Sequence, residues 1–404
     1  MTAPDVQGVP ETATSPVLAG RLAMRIREAA VGRLTLRDGH GKAQQFAGDT
    51  PGPHAEVLLH RRRAIRRMML GGDIGLLEAY MDGDWDTPDL AAVLTWGVRN
   101  EQSLGAALQA SFVLRQLNRL LHRRRANTRR GSRRNIAAHY DLGNAFYRLW
   151  LDPTMTYSCG IYPEAQTTLA QAQLEKYEHM LALLRLEPEQ HLLEIGSGWG
   201  GFAIYAAQRT GCRVTSITLS REQLAEAQAR AEAAGVADRV QFVYRDYRDE
   251  AGTYDRIVSI EMFEAVGEQF WGAYFSRLRR CLRPGGWAAL QVITIDEASF
   301  PAYRQGTDFI QRYIFPGGML PSPSAFAEAA AAAGLRTGER HFYGPHYDRT
   351  LGDWDRAIIA HAEALTALGL DDRFQRMWRA YLAYCQAGFR TGRLDLMQTV
   401  LTAP

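Results

Sequence analysis

From about residue 190 onward the chain alternates between two hydrophobic periods. Short apolar runs at HLLEI (191–195), RVTSITL (213–219), RVQFVYR (239–245), YDRIVSI (254–260) and WAALQVITI (287–295) read as strands. Helical patterns separate them: FAIYAAQRTG, SREQLAEAQARAEAAG and AYFSRLRRCLRPGG. Ser220 opens the second of these as an N-cap, with Gln223 three residues on in a capping-box pattern. Strands alternating with helices predict a doubly wound α/β sheet, with its ligand beyond the carboxyl ends of the strands. Upstream the pattern is mixed. It predicts a smaller α+β domain, with a helix over RLAMRIREAAVGRL, a Gly-rich turn at LGGDIGLLEAYMDGDW and a further helix over LGAALQASFVLRQLNRLL. The expected division is a disordered tail over 1–16, an N-terminal domain over 17–130 and a catalytic domain over 131–404.

Composition narrows the class. Apolar residues make up 46% and charged residues 23% of the chain, the balance of a soluble globular protein. No run of about 20 apolar residues predicts a spanning helix. The N-terminal stretch lacks the basic start and apolar core of a signal peptide. Cys159, Cys212, Cys281 and Cys385 lie far apart, which argues against a zinc site or a disulfide framework and fits a reducing cytoplasm. Arginine supplies nearly all the positive charge and is clustered in HRRRAIRRMML (60–70) and LHRRRANTRRGSRR (121–134). The net charge of +3 is too low for a dedicated nucleic-acid binder. The clusters read either as solvated helix ends or as attraction to an anionic surface.

The chemistry begins at EIGSGWGG (194–201). Its glycines follow a strand and precede a helix, so the backbone can turn sharply and approach a ligand closely. No acid ends the second strand, where a dinucleotide enzyme needs one, and Asp246 follows a later strand. Glu194 beside the loop, with no lysine near it in sequence, favours a cationic ligand over a pyrophosphate. A second feature is the acid pair in VSIEMFEAVG (258–267). Glu261 and Glu264 stand three apart where an apolar run stops, so they either cap a helical turn or take a proton.

The glycine loop with its flanking acids resembles the class I S-adenosylmethionine methyltransferases. That resemblance assigns cofactor contacts to Gly196, Ser197, Gly198, Thr218, Leu219, Gln223 and Asp246, with Tyr157, Ser158, Glu194, Gly200, Ser220 and Tyr247 beside them. A closer resemblance is to the cyclopropane fatty-acid synthase family. It is carried by AAHYDLGNAFYRLWLDPTMTYSCGIY (137–162), LLEIGSGWGGFAIYAA, YDRIVSIEMFEAVG, RYIFPGGMLPS (312–322) and YGPHYDRTL (343–351), and extends to GDIGLLEAYMDGDWD upstream. The family acts on cis double bonds of acyl chains in phospholipid. Its bicarbonate ligands map onto Cys159, Glu264, Gln291, Ile293 and Tyr347. Gln291 stands where the family carries His, which leaves bicarbonate in doubt, and Glu261 stands where ring-forming members carry a small residue, often Gly.

These features imply S-adenosylmethionine-dependent methylation of an unsaturated phospholipid acyl chain, giving a methyl-branched unsaturated product. Glu264, Glu261, Cys159, Tyr347 and Gln291 are the expected catalytic residues. The expected cation neighbours come from Trp199, Phe263, Tyr303, Tyr313, Phe315 and Tyr347. Cyclopropane closure through bicarbonate is the alternative; a small-molecule methyltransferase and a non-catalytic lipid binder are more remote. A phospholipid substrate gives Arg61, Arg62, Arg63, Arg66, Arg67, Arg123, Arg124 and Arg125 a role in docking to an anionic membrane. The resemblance also implies a homo-oligomer, cytoplasmic and peripherally attached to the inner leaflet.

Overall fold

Residues 21–105, 128, 131, 132 and 142–403 are described by the structure, a computed structural model. The tail over 1–16, most of the helix expected over 104–121, and Arg123, Arg124 and Arg125 lie outside the described residues.

The alternating half of the chain forms one seven-stranded sheet. Its strands are β5 (His191–Ile195), β6 (Arg213–Thr218), β7 (Val240–Tyr244), β8 (Tyr254–Ile260), β9 (Leu282–Ile295), β10 (Arg336–Phe342) and β11 (Leu394–Thr402), in the order β10-β11-β9-β8-β5-β6-β7. β7, β6, β5, β8 and β9 are mutually parallel, and β11 runs antiparallel between β9 and β10. The chain order reverses between β5 and β8, which opens a crevice at their carboxyl ends. The glycine loop leaves β5 and the acid pair leaves β8, so both expected centres flank that crevice. β5 and β8 carry apolar residues at consecutive positions because helices cover both faces of the sheet; Leu192, Leu193, Ile257 and Val258 are fully buried.

The N-terminal portion departs from its expected elements. The helix predicted over 21–34 stops at Arg27, and Val31–Asp38 is strand β1. It pairs with β2 (Ala43–Ala47) and β3 (Thr50–Leu59), and β4 (Trp85–Asp86) completes a small sheet ordered β2-β1-β3-β4. Gly32 makes the turn into β1 with φ +72; a Cβ there would lie 2.4 Å from the Pro53 carbonyl oxygen. The expected Gly-rich turn is instead mostly helix, Arg63–Met81, broken only at Gly72 (φ 63, ψ −138).

The helix Asp372–Thr391 joins the two portions. Arg376 bonds the carbonyls of Tyr80 and Trp85, Arg373 pairs with Asp82, and one apolar cluster runs from Leu77, Trp85 and Leu94 to Trp354, Trp378 and Phe389. Among the described residues, no helix is long and apolar enough to cross a membrane.

Candidate active site

The crevice opens into a cavity of about 890 Å³ reaching from the glycine loop to the seam with the N-terminal portion. Tyr157, Ser158, Glu194, Gly196, Ser197, Gly198, Thr218, Leu219, Gln223 and Tyr247 all line it. Gly196 and Gly198 have φ of +101 and +49, conformations that other residues resist. A Cβ on Gly198 would meet nothing within 4 Å, so the loop presents bare backbone to the cavity. Ser197 Oγ is buried there without a partner. Glu194 accepts a hydrogen bond from Ser216 Oγ at 2.5 Å, and burial lifts its pKa to about 8. This bare loop, with an unspent hydroxyl and a buried carboxyl beside it, fits the amino-acid end of S-adenosylmethionine.

Three expected cofactor residues do not line the cavity. Ser220 caps the helix Arg221–Ala233, its Oγ accepting from Gln223 N–H. Gln223 does not complete a capping box, because its side-chain oxygen accepts from Thr218 Oγ1 at 3.2 Å. Gly200 turns the loop into its helix, packed on Phe242 and Ala227. Asp246 accepts from Arg248 through both carboxylate oxygens, at 2.8 and 2.6 Å, leaving Tyr247 and Arg248 as the lining groups. The expectation of a lysine-free site also fails. Lys176, on the helix Leu169–Leu184, is fully buried in the cavity wall, and desolvation lowers its pKa to about 8.

Opposite the loop stands the acid pair. Glu261 has φ +49, so it breaks the helical turn that its spacing from Glu264 suggested. A left-handed conformation costs a residue with a Cβ about 1–2 kcal/mol. The turn aims its carboxylate at three donors. Cys159 N–H donates to Oε1 at 2.9 Å, Gln291 Nε2 donates to Oε1 at 2.7 Å, and Tyr347 Oη donates to Oε2 at 2.5 Å. Glu264 Oε1 accepts from Ile293 N–H at 2.5 Å, and among the described residues its Oε2 is buried without a partner. Burial, and then the charge of Glu261, push the Glu264 pKa up to about 8. Burial also raises Glu261, but its three donors and Lys176 oppose the shift. Within the pair the three donors favour the charge on Glu261, and the proton on Glu264.

Four of the five groups that the resemblance assigns to bicarbonate are thus engaged by side-chain carboxylates, three donors on Glu261 and the Ile293 amide on Glu264, which is itself the fifth. Cys159 contributes its amide. Its thiol is buried, donates to the Gly160 carbonyl oxygen, and is shifted well upward by burial and the charge of Glu261, which removes it as a nucleophile. Gln291 owes its orientation to Gln398, whose Nε2 donates to Gln291 Oε1 at 2.8 Å.

Of the expected aromatic residues, Trp199, Tyr303, Phe315 and Tyr347 line the cavity. Phe263 is instead core, packed on Trp271, Phe275 and Phe326, and Tyr313 bonds Glu78. Tyr157, Tyr381 and Phe389 add faces to the cavity that the sequence did not suggest for this role as a group.

The arginines of the first cluster divide. Arg61, Arg63 and Arg67 all reach the fully buried Asp84 carboxylate, at 3.3, 2.7 and 3.2 Å. Arg62 and Arg66 are exposed, as are Met69 and Leu70 further along the same helix.

Comparison with known proteins agrees with this geometry. The profile of the mycolic acid cyclopropane synthetase family matches residues 127–399. The chain is 39% identical to the tuberculostearic acid methyltransferase UfaA1 of Mycobacterium tuberculosis, over 97% of this chain and 92% of that one. It is 34% identical to the cyclopropane-fatty-acyl-phospholipid synthase of Escherichia coli K12, over 86% and 88% respectively. Among solved structures, the mycolic acid cyclopropane synthase CmaA1 complexed with SAH and CTAB superimposes with a TM-score of 0.63 at 32% identity, covering 67% of this chain and 97% of that one. A glycine loop fitted to S-adenosylmethionine, the acid pair across the crevice and these matches lead to one assignment: the chain belongs to the mycolic acid cyclopropane synthetase family of S-adenosylmethionine-dependent enzymes.

Proposed function

We propose that the protein methylates the cis double bond of an acyl chain in phospholipid and releases a methyl-branched unsaturated chain, with Glu261 as a built-in base. The observation that carries this reading is the seat of the Glu261 carboxylate among Cys159 N–H, Gln291 Nε2 and Tyr347 Oη. S-adenosylmethionine bound at the glycine loop supplies an electrophilic methyl to the π pair, leaving a cation on the neighbouring chain carbon. The residues of the chain then control the fate of that cation. Trp199, Tyr157 and Phe315 offer π faces that steady it without reacting. The apolar cavity excludes water that would quench it. Glu261 takes a proton from a carbon next to the cation, and the released C–H pair becomes the new double bond. Glu264, already protonated at neutral pH, neither competes as a base nor adds a second charge.

Two of its relatives carry one outcome each in their names, a tuberculostearic acid methyltransferase and a cyclopropane-fatty-acyl-phospholipid synthase. The engaged bicarbonate ligands favour the first. On the same reading the enzyme works as a homo-oligomer on the anionic cytoplasmic face of a membrane. Arg62 and Arg66 provide the charge, and the exposed Met69 and Leu70 an apolar tip. Asp73 and Ile74, just beyond Gly72 on the same helix, line the cavity, so a lipid entering there has a short path to the site.

Turnover of unsaturated phospholipid with methyl-deuterated donor tests the proposal. Three deuteriums retained in a product that mild hydrogenation saturates support it. Two deuteriums in a hydrogenation-resistant product mean ring closure and overturn it. Two deuteriums in a reducible product move the lost proton to the new methyl group and give a methylene branch instead.

A further inference from the structure

Lys176 is one of two lysines in the chain, and the chemistry above leaves it without a task. Its side chain is 0% exposed, yet among the described residues it makes no ion pair. Nζ donates one hydrogen bond, to Ser158 Oγ at 2.7 Å. Three carboxylates feel its charge, and each is held elsewhere: Glu194 by Ser216, Glu261 by its three donors, and Asp152 by Thr154 and Thr156. The Tyr177 ring face lies 4.7 Å from Nζ, and a buried ammonium with only these neutral partners is costly unless an anion comes to it.

The surroundings indicate where that anion sits. Helix Leu169–Leu184 packs directly on the glycine loop; a Cβ on Gly201 would fall 2.3 Å from Tyr177 Oη. Lys176 and Ser158 both line the cavity beside that loop. Gln173 Nε2 fixes the Ser158 carbonyl at 2.7 Å, so the serine backbone is held as well. Because Ser158 Oγ accepts from Lys176, its own hydroxyl proton is directed away from the ammonium. Ser197 Oγ, buried, unpartnered and in the same wall, offers a second donor.

We infer that Lys176 is a positioning residue for the methyl donor: acting through Ser158, it supplies the counter-charge for the α-carboxylate of the donor's amino-acid end. The inference rests on S-adenosylmethionine being the donor and on nothing about the acyl product. Anchoring the carboxylate beside the loop leaves the sulfonium free to face the acid pair across the cavity.

Calorimetric binding of three ligands without lipid tests it: S-adenosylhomocysteine, its decarboxylated analogue, and 5′-methylthioadenosine. The wild type is expected to prefer S-adenosylhomocysteine to the decarboxylated analogue by about ten-fold or more, the scale of a charge-assisted hydrogen bond. Lys176→Met should erase most of that preference while leaving 5′-methylthioadenosine affinity within about two- to three-fold, which also reports an intact nucleoside site. Ser158→Ala should lose the preference in the same direction, and it decides the matter if Lys176→Met does not fold. Equal weakening of S-adenosylhomocysteine and the decarboxylated analogue, or an undiminished preference, would overturn the inference. Failure of the wild type to bind S-adenosylhomocysteine at all would instead sink the donor assignment.

Discussion

Gln398 turns Gln291. Its amide nitrogen donates to the Gln291 carbonyl oxygen, and this hands the Gln291 amino group to Glu261. The two glutamines sit opposite each other in the β9–β11 register, so the amide that meets the Glu261 carboxylate is oriented by the one antiparallel strand inserted in the sheet. Replacing Gln398 with Leu should leave Gln291 Oε1 buried and unpaired, at a cost of about 1–3 kcal/mol. The expected result is a lower melting temperature and a kcat that falls more than the KM for lipid rises, measured on one lipid preparation.

Glu261 is the sharpest test of the chemistry. Glu261→Gln keeps the shape and loses the base, so turnover should drop about 10²–10⁴-fold while S-adenosylhomocysteine still binds. Unchanged turnover would remove Glu261 from the mechanism.

Glu261→Gly should behave differently. Glycine relaxes the left-handed turn and vacates a pocket lined by the Cys159 amide, Gln291 and Tyr347. Added bicarbonate should then stimulate turnover, and the product should shift toward the ring, read as two retained deuteriums resistant to hydrogenation. Adding Gln291→His should strengthen that stimulation.

The buried acids predict a pH dependence of stability. Glu264 titrates near pH 8 in the folded protein against an ordinary value of 4.5. A raised folded pKa favours the fold below about pH 4.5, and that contribution is lost as pH rises toward 8. Glu194 acts in the same sense. Glu264→Gln should therefore flatten the fall in melting temperature between about pH 5 and 8. Catalysis runs the other way: turnover should fall on acidification, as Glu261 gains a proton, and a profile flat on the acid side would contradict its role.

The arginine cluster separates by partner. Arg62→Glu with Arg66→Glu should weaken binding to anionic vesicles in a salt-sensitive manner and leave the fold intact. Arg63→Ala, which strips a partner from buried Asp84, should lower the melting temperature instead. Vesicle sedimentation and thermal melting tell the two effects apart.

The sheet was legible because its central strands are buried on both faces and carry apolar residues at consecutive positions, as Leu192–Leu193 and Ile257–Val258 do; β5 and β8 have the limits their sequences suggest. The N-terminal strands were not, because β1 alternates one buried face with arginines and merges with the preceding helix into a single helical-looking pattern, until Gly32 breaks it. The glycine loop and the acid pair were visible as motifs. What the pair does was not, since the spacing of Glu261 and Glu264 suggests a shared helical face and only the positive φ of Glu261 turns the two apart. Lys176 lies on an amphipathic helix before the loop, and Gln398 lies 107 residues beyond Gln291, so neither announces itself in the local pattern.

The left-handed turn at Glu261 bears on where such an enzyme can operate. A base tethered to the chain is present at every turnover, whereas a captured ion must be drawn from the medium. Catalysis of this kind is independent of dissolved inorganic carbon, and lipid remodelling would proceed at the same pace whether carbon dioxide is abundant or scarce.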